Sequence, residues 1–114
     1  MGRTRRRPID EDRRDTYRLP DDLDFADAAP LEPLATVVHG MAESGIALGD
    51  TVVVNGAWPI GQMYIRLAQL RGATVIAADM SPGRLAQAAD AGAIATVDLT
   101  GVETVAEKAE LIRA

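Results

Sequence analysis

The chain contains no cysteine and one histidine, His39, in 114 residues. Without cysteine there can be no disulfide and no thiolate metal site. A catalytic zinc takes three protein ligands and an open position, so one histidine leaves that set unfilled and no zinc is expected. Aromatic residues make up only 4% of the chain. The core must therefore be built from Val, Ile, Leu and Ala. No apolar run approaches the roughly 20 residues of a membrane span, so no membrane contact is expected. Arg3, Arg5, Arg6 and Arg7 are followed by no apolar segment, which excludes a secretory signal at the start. A cytoplasmic protein is the expectation.

Charge is unevenly distributed. Residues 1–18 hold seven arginines against four acids, and the remainder holds 13 acids against five bases. The acidic body has no broad basic face with which to bind nucleic acid, and no such partner is expected. Residues 1–18 lack hydrophobic periodicity, and Asp10, Glu11, Asp12 and Asp15 offset their arginines. They read as an Arg-rich flexible arm. Residues 19–114 read as one domain with a thin stability margin for its size.

Leu19-Pro20-Asp21-Asp22-Leu23 is an extended segment entering a turn, because the residue before proline avoids the helical region. Asp24 opens a short helix through Ala28, and Pro30 and Pro33 then bracket Glu32. Apolar residues at 34, 37, 38 and 41 predict a helix that Gly45 stops. The period changes at Thr51-Val52-Val53-Val54, an uncharged β-branched run predicted to be a strand buried on both faces. A loop leads into a helix with apolar residues at 60, 63, 64, 67 and 70, ended by Gly72. Residues 74–78 form a second strand. Ser81 and Pro82 suit the N-cap and first position of a helix over 83–91 that ends at Gly92. A third strand over 94–97 and a last helix carrying Val102, Val105, Ala106, Ala109 and Ile112 complete the pattern. Strands alternating with helices over short connections require parallel pairing and right-handed crossovers. The expected fold class is α/β: a half-Rossmann fold, with a three-stranded parallel sheet in order 3-2-1 flanked by helices.

Chemistry should gather at Gly56-Ala57-Trp58-Pro59-Ile60-Gly61, which leaves a strand and opens a helix. Free backbone N–H groups and the helix dipole favour an anion there. In the dinucleotide fingerprint one glycine allows the tight turn, a second admits the pyrophosphate, and a third lets helix and strand pack closely. Gly56 and Gly61 fill the first and third places. Asp79, ending the second strand, fills the acidic place that binds the ribose hydroxyls. A carboxylate there repels a 2′-phosphate, so the pattern favours NAD over NADP. Arg84 either lies against an adenine or is an ordinary solvated helix residue. The candidate cofactor-binding residues are Gly56, Ala57, Trp58, Pro59, Ile60, Gly61, Asp79 and Arg84; no catalytic residue is identifiable. Trp58 is the departure. An indole stands where the fingerprint has no side chain, and a positive φ there would strain it by roughly 1–2 kcal/mol.

Leu19-Pro20-Asp21, Glu32 through Thr36 with His39, Gly49 through Val54, Gly56 through Gly61, Gly72-Ala73 through Asp79, Arg84-Leu85 and Ala91-Gly92-Ala93 occur in one order and spacing. As a set they resemble the medium-chain dehydrogenase/reductase family, in its zinc-type alcohol, polyol and threonine dehydrogenase branch. The resemblance covers roughly residues 19–100 and implies the first half of a nucleotide-binding domain. It also implies what such enzymes carry elsewhere: a catalytic domain with Cys, His and Glu zinc ligands, often a four-cysteine structural zinc, and a second half-fold that seats the nicotinamide. Glu32 matches a family position near the metal; without other ligands it reads as a helix-capping or solvated carboxylate. Thr36 would face a nicotinamide in the intact family fold, and His39 reads as a packed or half-exposed helix residue.

Three functions compete. The first is an NAD- or adenine-nucleotide-binding domain, truncated relative to the dehydrogenases and not self-sufficient for redox chemistry. The second is a non-catalytic interaction or assembly module whose cofactor site Trp58 closes; Trp58 could equally be a stacking platform for a flat ligand. The third is a small enzyme repurposed for non-redox chemistry in the Trp58/Asp79 crevice. A strand order ending at the first strand leaves 51–54 as an uncharged Val-rich edge, so a homodimer across that edge is expected. A partner chain could supply the missing parts.

Overall fold

The computed structural model describes residues 17–114. The reading of residues 1–18 as an arm therefore lies outside the described residues, apart from Tyr17 and Arg18. Arg18 makes an exposed ion pair with Asp21 at 3.0 Å.

Helix α1 (Phe25–Ala28) starts where the Asp24 carboxylate accepts the Asp27 N–H at 2.8 Å. Helix α2 (Leu31–Glu43) buries Val37 and Met41, one turn apart, and leaves Val38 exposed. The remaining elements are β1 (Thr51–Asn55), α3 (Pro59–Leu70), β2 (Thr74–Asp79), α4 (Pro82–Ala91), β3 (Ala95–Asp98) and α5 (Val105–Arg113). Ser81 caps α4 by accepting the Arg84 N–H, Pro82 holds its first position, and Gly92 ends it at φ +115°. A left-handed residue closes a helix most readily when it is glycine.

The sheet is parallel, in order β1-β2-β3, which is the expected half-Rossmann arrangement. Central β2 pairs Val53 with Ile76 on one side and Ile76 with Ala95 on the other. Val52, Val54, Val75 and Ala77 face the core with Val37, Met41, Ile65, Ala68 and Ala88. Aligned residues of neighbouring strands share a face, so Val53, Ile76 and Ala95 lie together on the opposite face.

Burial corrects three expectations. Strand β1 is not buried on both faces: Val53 is 40% exposed and Val52 and Val54 are half-buried. It lies at the sheet edge, with α3 packed on its core face. Helix α3 buries Gly61, Ile65 and Ala68, whereas Ile60 and Leu70 of the expected apolar stripe are exposed. Gly61 and Ala68 flank the fully buried Ile65 on that line, and Met63, Tyr64 and Leu67 are half-buried against the core beside it. Helix α5 buries none of its residues, and Val105 is 84% exposed.

Candidate functional site

The site forms at the carboxyl ends of β1 and β2. The Gly56 N–H donates to the Ala78 carbonyl at 2.7 Å, continuing the ladder one step beyond β1. The chain then turns at Gly56 with φ +98°, a conformation L side chains rarely adopt. A Cβ at Gly56 would meet nothing nearby, so its backbone stands open. A Cβ at Gly61 would collide with the Gly56 carbonyl oxygen. Gly61 thus does the packing work expected of the third glycine, seating α3 on the loop.

Trp58 is the N-cap residue of α3, with Pro59 following, and its backbone is extended at φ −64° and ψ 172°. The positive φ that would have strained it does not occur, because Gly56 alone makes the left-handed turn of this loop. Its indole is 62% exposed, and the Arg84 guanidinium carbon lies 4.2 Å above the ring centroid. Pro59 and Ile60 are exposed, and Ala57 is buried.

Asp79 is the one buried charged side chain among the described residues, at 5% exposure. Its Oδ2 accepts the Ala57 N–H at 2.8 Å and its Oδ1 accepts the Ser81 N–H at 2.8 Å. Arg84 Nε donates to both oxygens at 3.0 and 3.1 Å, and Nη2 lies 2.8 Å from Oδ1. The Arg84 hydrogen bonds hold the carboxyl down to about 2, against the upward push of burial, with help from the Ala57 and Ser81 amides and the Arg84 charge. Asp79 therefore stands ionised with both oxygens engaged by protein donors. A ribose diol would have to share it with Arg84.

Two residues join the site that sequence reading did not single out. Gln62 Nε2 donates to the Ala57 carbonyl at 2.9 Å and the Arg84 carbonyl at 3.2 Å, tying the loop to α4. Lys108 of α5 lines a cleft of about 140 Å³ with Gly56, Trp58, Asp79, Arg84 and Leu99. A Thr-x-x-Glu capping signal at Thr104 and Glu107 would have located the start of α5, and with it Lys108 in the first turn. Larger hollows lie elsewhere, one of 440 Å³ against Glu107 and Glu110 and one of 450 Å³ between Tyr17, Leu31, Glu32 and Ala35. Neither gathers the loop or Asp79.

Glu32, Thr36 and His39 lie on α2, and none lines the cleft. Glu32 is exposed, and the Thr36 hydroxyl lies within reach of either its carbonyl oxygen or its carboxylate as acceptor. His39, expected to be packed or half-exposed, is exposed, because the buried face of α2 runs through Val37 and Met41. Among the described residues no three His, Cys, Asp or Glu side chains gather to hold a metal ion. With one histidine and no cysteine, the donors of this chain do not fit a catalytic zinc. The loop and Asp79 do fit the adenosine end of a nucleotide: an open glycine turn, a helix start and an ionised carboxylate converge there.

Residues 59–113 match the model of the zinc-binding dehydrogenase domain. The sorbitol dehydrogenase of Ovis aries is 37% identical over 97 residues, which is 82% of this chain and 27% of that enzyme. This chain belongs to the zinc-type medium-chain dehydrogenases. It spans about a quarter of the length of these relatives. A zinc-binding dehydrogenase from Sinorhizobium meliloti, solved bound to NADP, superposes with TM-score 0.71 at 39% identity, covering 76% of this chain and 26% of that one. An alcohol dehydrogenase from Escherichia coli CFT073, complexed with NADH, does so with TM-score 0.71 at 25% identity, covering 82% and 28%. The zinc-type dehydrogenase segment thus comprises the three-stranded sheet and the loop–Asp79 site.

Proposed function

We propose that this dehydrogenase segment binds an adenine nucleotide, NAD foremost, between the Gly56–Gly61 loop and Asp79, and that it performs no redox chemistry by itself. The observation that carries the reading is the bond from the Ala57 N–H to the Asp79 carboxylate. It draws the phosphate-side loop and the ribose-side acid into one site at the carboxyl ends of the strands, where open α/β sheets bind ligands. The relatives solved with NADP and NADH support the same ligand class. Zinc ligands and a nicotinamide pocket would come from outside these residues, in further sequence or a partner chain. A cytoplasmic setting accords with the reading.

The experiment is a titration of NAD into the protein, followed by the fluorescence of Trp58, the single tryptophan. A saturable change that 5′-AMP competes away, and that Asp79→Ala abolishes, is expected. No change at millimolar NAD would overturn the reading.

One observation favours the second function. Trp58 and Arg84 stack over a cleft of about 140 Å³, well below the roughly 300 Å³ at which ligand pockets begin. In an assembly module this pair closes the site, and Trp58→Gly restores NAD binding that the parent lacks. The third function, non-redox catalysis, is disfavoured by Asp79. A carboxyl held at about 2 with both oxygens engaged is a weak acid–base catalyst near neutrality.

Two copies pairing across β1 form part of the proposal. Antiparallel pairing centred on Val53 sets Val52 opposite Val54 and Thr51 opposite Asn55, an uncharged and self-complementary edge.

A further inference from the structure

Building on the nucleotide reading, we propose that Lys108 is a phosphate-binding residue of the cleft and that its ligand is an adenosine phosphomonoester. Beyond Arg18 the chain has five cations, at Arg66, Arg71, Arg84, Lys108 and Arg113, in a stretch that is otherwise acidic. Two of them, Arg84 and Lys108, line the same small cleft. Arg84 is matched by Asp79, with which it makes its ion pair. Lys108 makes no ion pair or side-chain hydrogen bond among the described residues, although it is half-buried. Among the described residues, Asp79, Arg84 and Lys108 together leave the cleft one unmatched positive charge.

Core packing contributes little to this position, because α5 has no fully buried residue and only Lys108, Ala109 and Ile112 are half-buried. Hydrogen bonds carry the helix to the cleft instead. The Leu99 N–H donates to the Asp79 carbonyl at 2.9 Å, and the Thr100 hydroxyl, which donates to the Asp98 carboxylate, lies 3.1 Å from the Met80 carbonyl. The segment leaving β3 is thereby tied to the end of β2. The Thr104–Glu107 capping box then fixes the start of α5, and the Lys108 N–H donates to the Thr104 carbonyl at 3.1 Å. Glu107, the adjacent acid, is engaged by the Thr104 hydroxyl and amide. An ammonium is a compact charge with three donors and suits a phosphate. The exposed indole of Trp58 lines the same cleft and offers an aromatic face to a base.

The phosphate could be the 5′-phosphate common to AMP and NAD or the 2′-phosphate of NADP, and the test separates them. Adenosine, 5′-AMP and 2′,5′-ADP are titrated calorimetrically into the parent chain, Lys108→Gln, Lys108→Arg and the control Arg113→Gln. One charged hydrogen bond predicts that the parent binds the preferred phosphate form roughly tenfold tighter than adenosine. Lys108→Gln should lose most of that preference with adenosine affinity unchanged, Lys108→Arg should keep it, and Arg113→Gln should match the parent. A loss already seen with 5′-AMP assigns the 5′-phosphate; a loss confined to 2′,5′-ADP assigns the 2′-phosphate. An unaltered preference in Lys108→Gln overturns the inference and leaves the nucleotide reading standing. Binding of none of the three ligands by the parent overturns both.

Discussion

At the scale of single residues, Asp79 couples folding to pH. Its carboxyl is lowered from 3.8 to about 2 and is buried. A depressed folded-state value contributes stability above the unfolded value, and that contribution is lost as pH falls through the folded one. Asp79 should therefore supply about 2 kcal/mol at neutral pH, disappearing between about pH 4 and pH 2. Asp98 and Glu107 are also lowered, by the Thr100 and Thr104 hydroxyls, but they are exposed and solvent screens them. Urea midpoints for the parent and Asp79→Asn should differ widely at pH 7 and converge towards pH 2; a gap independent of pH would refute this. Gly56 and Gly61 separate two uses of glycine. Gly61→Ala forces a methyl group into the Gly56 carbonyl, at a cost of about 1–3 kcal/mol. Gly56→Ala meets open space and carries only backbone strain, about 1–2 kcal/mol. Thermal melts should rank Gly61→Ala below Gly56→Ala, and the opposite order would mean that the helix, not the turn, yields.

At the scale of elements, α3 and α5 should differ in stability. Helix α3 fully buries Gly61, Ile65 and Ala68, whereas α5 half-buries Lys108, Ala109 and Ile112 at most and relies on its capping box. Local opening follows such differences in burial. Amide hydrogen exchange should show α5 opening well below the global unfolding energy. Thr104→Ala should accelerate it further, by about 1 kcal/mol, without moving the main melting transition; a shift of that transition would show α5 to be integral to the core. Element types were legible because they rest on local chemistry: Ser81 and Pro82 opening α4, Gly92 closing it, β-branched residues in β1. The start of the last helix was not, since Val102, expected within it, precedes the Thr104 cap. Which face is buried was less legible. Of the apolar stripe at 60, 63, 64, 67 and 70, the middle three are half-buried against the core and the two ends are exposed, while the fully buried line runs through Gly61, Ile65 and Ala68. Periodicity places the apolar face to within about one residue, and the close contact at Gly61 fixes which line meets the sheet.

At the scale of the whole molecule, the exposed edge of β1 should govern association. Light scattering at high micromolar concentration is expected to give a dimer. Val53→Lys should yield a monomer, since a charge on an edge strand opposes pairing, and Val53 is exposed enough to accept it. A monomeric parent would end the pairing proposal. The candidate site was legible in part for a related reason. Gly56, Gly61 and Asp79 follow a spacing rule along the chain, and the fold brings them together. Lys108 reaches them only through the Leu99 bond to the end of β2, a long-range closure that no local pattern encodes.

The Asp79 carboxylate clamps Ala57, Ser81 and Arg84 together, quite apart from any ligand. Selection on folding alone would preserve it through generations in which nucleotide binding had lapsed. An intact aspartate at the end of the second strand therefore counts towards cofactor use only together with the open turn at Gly56. The informative position is 58, where the backbone tolerates any side chain and only a bound pyrophosphate would keep a glycine in place.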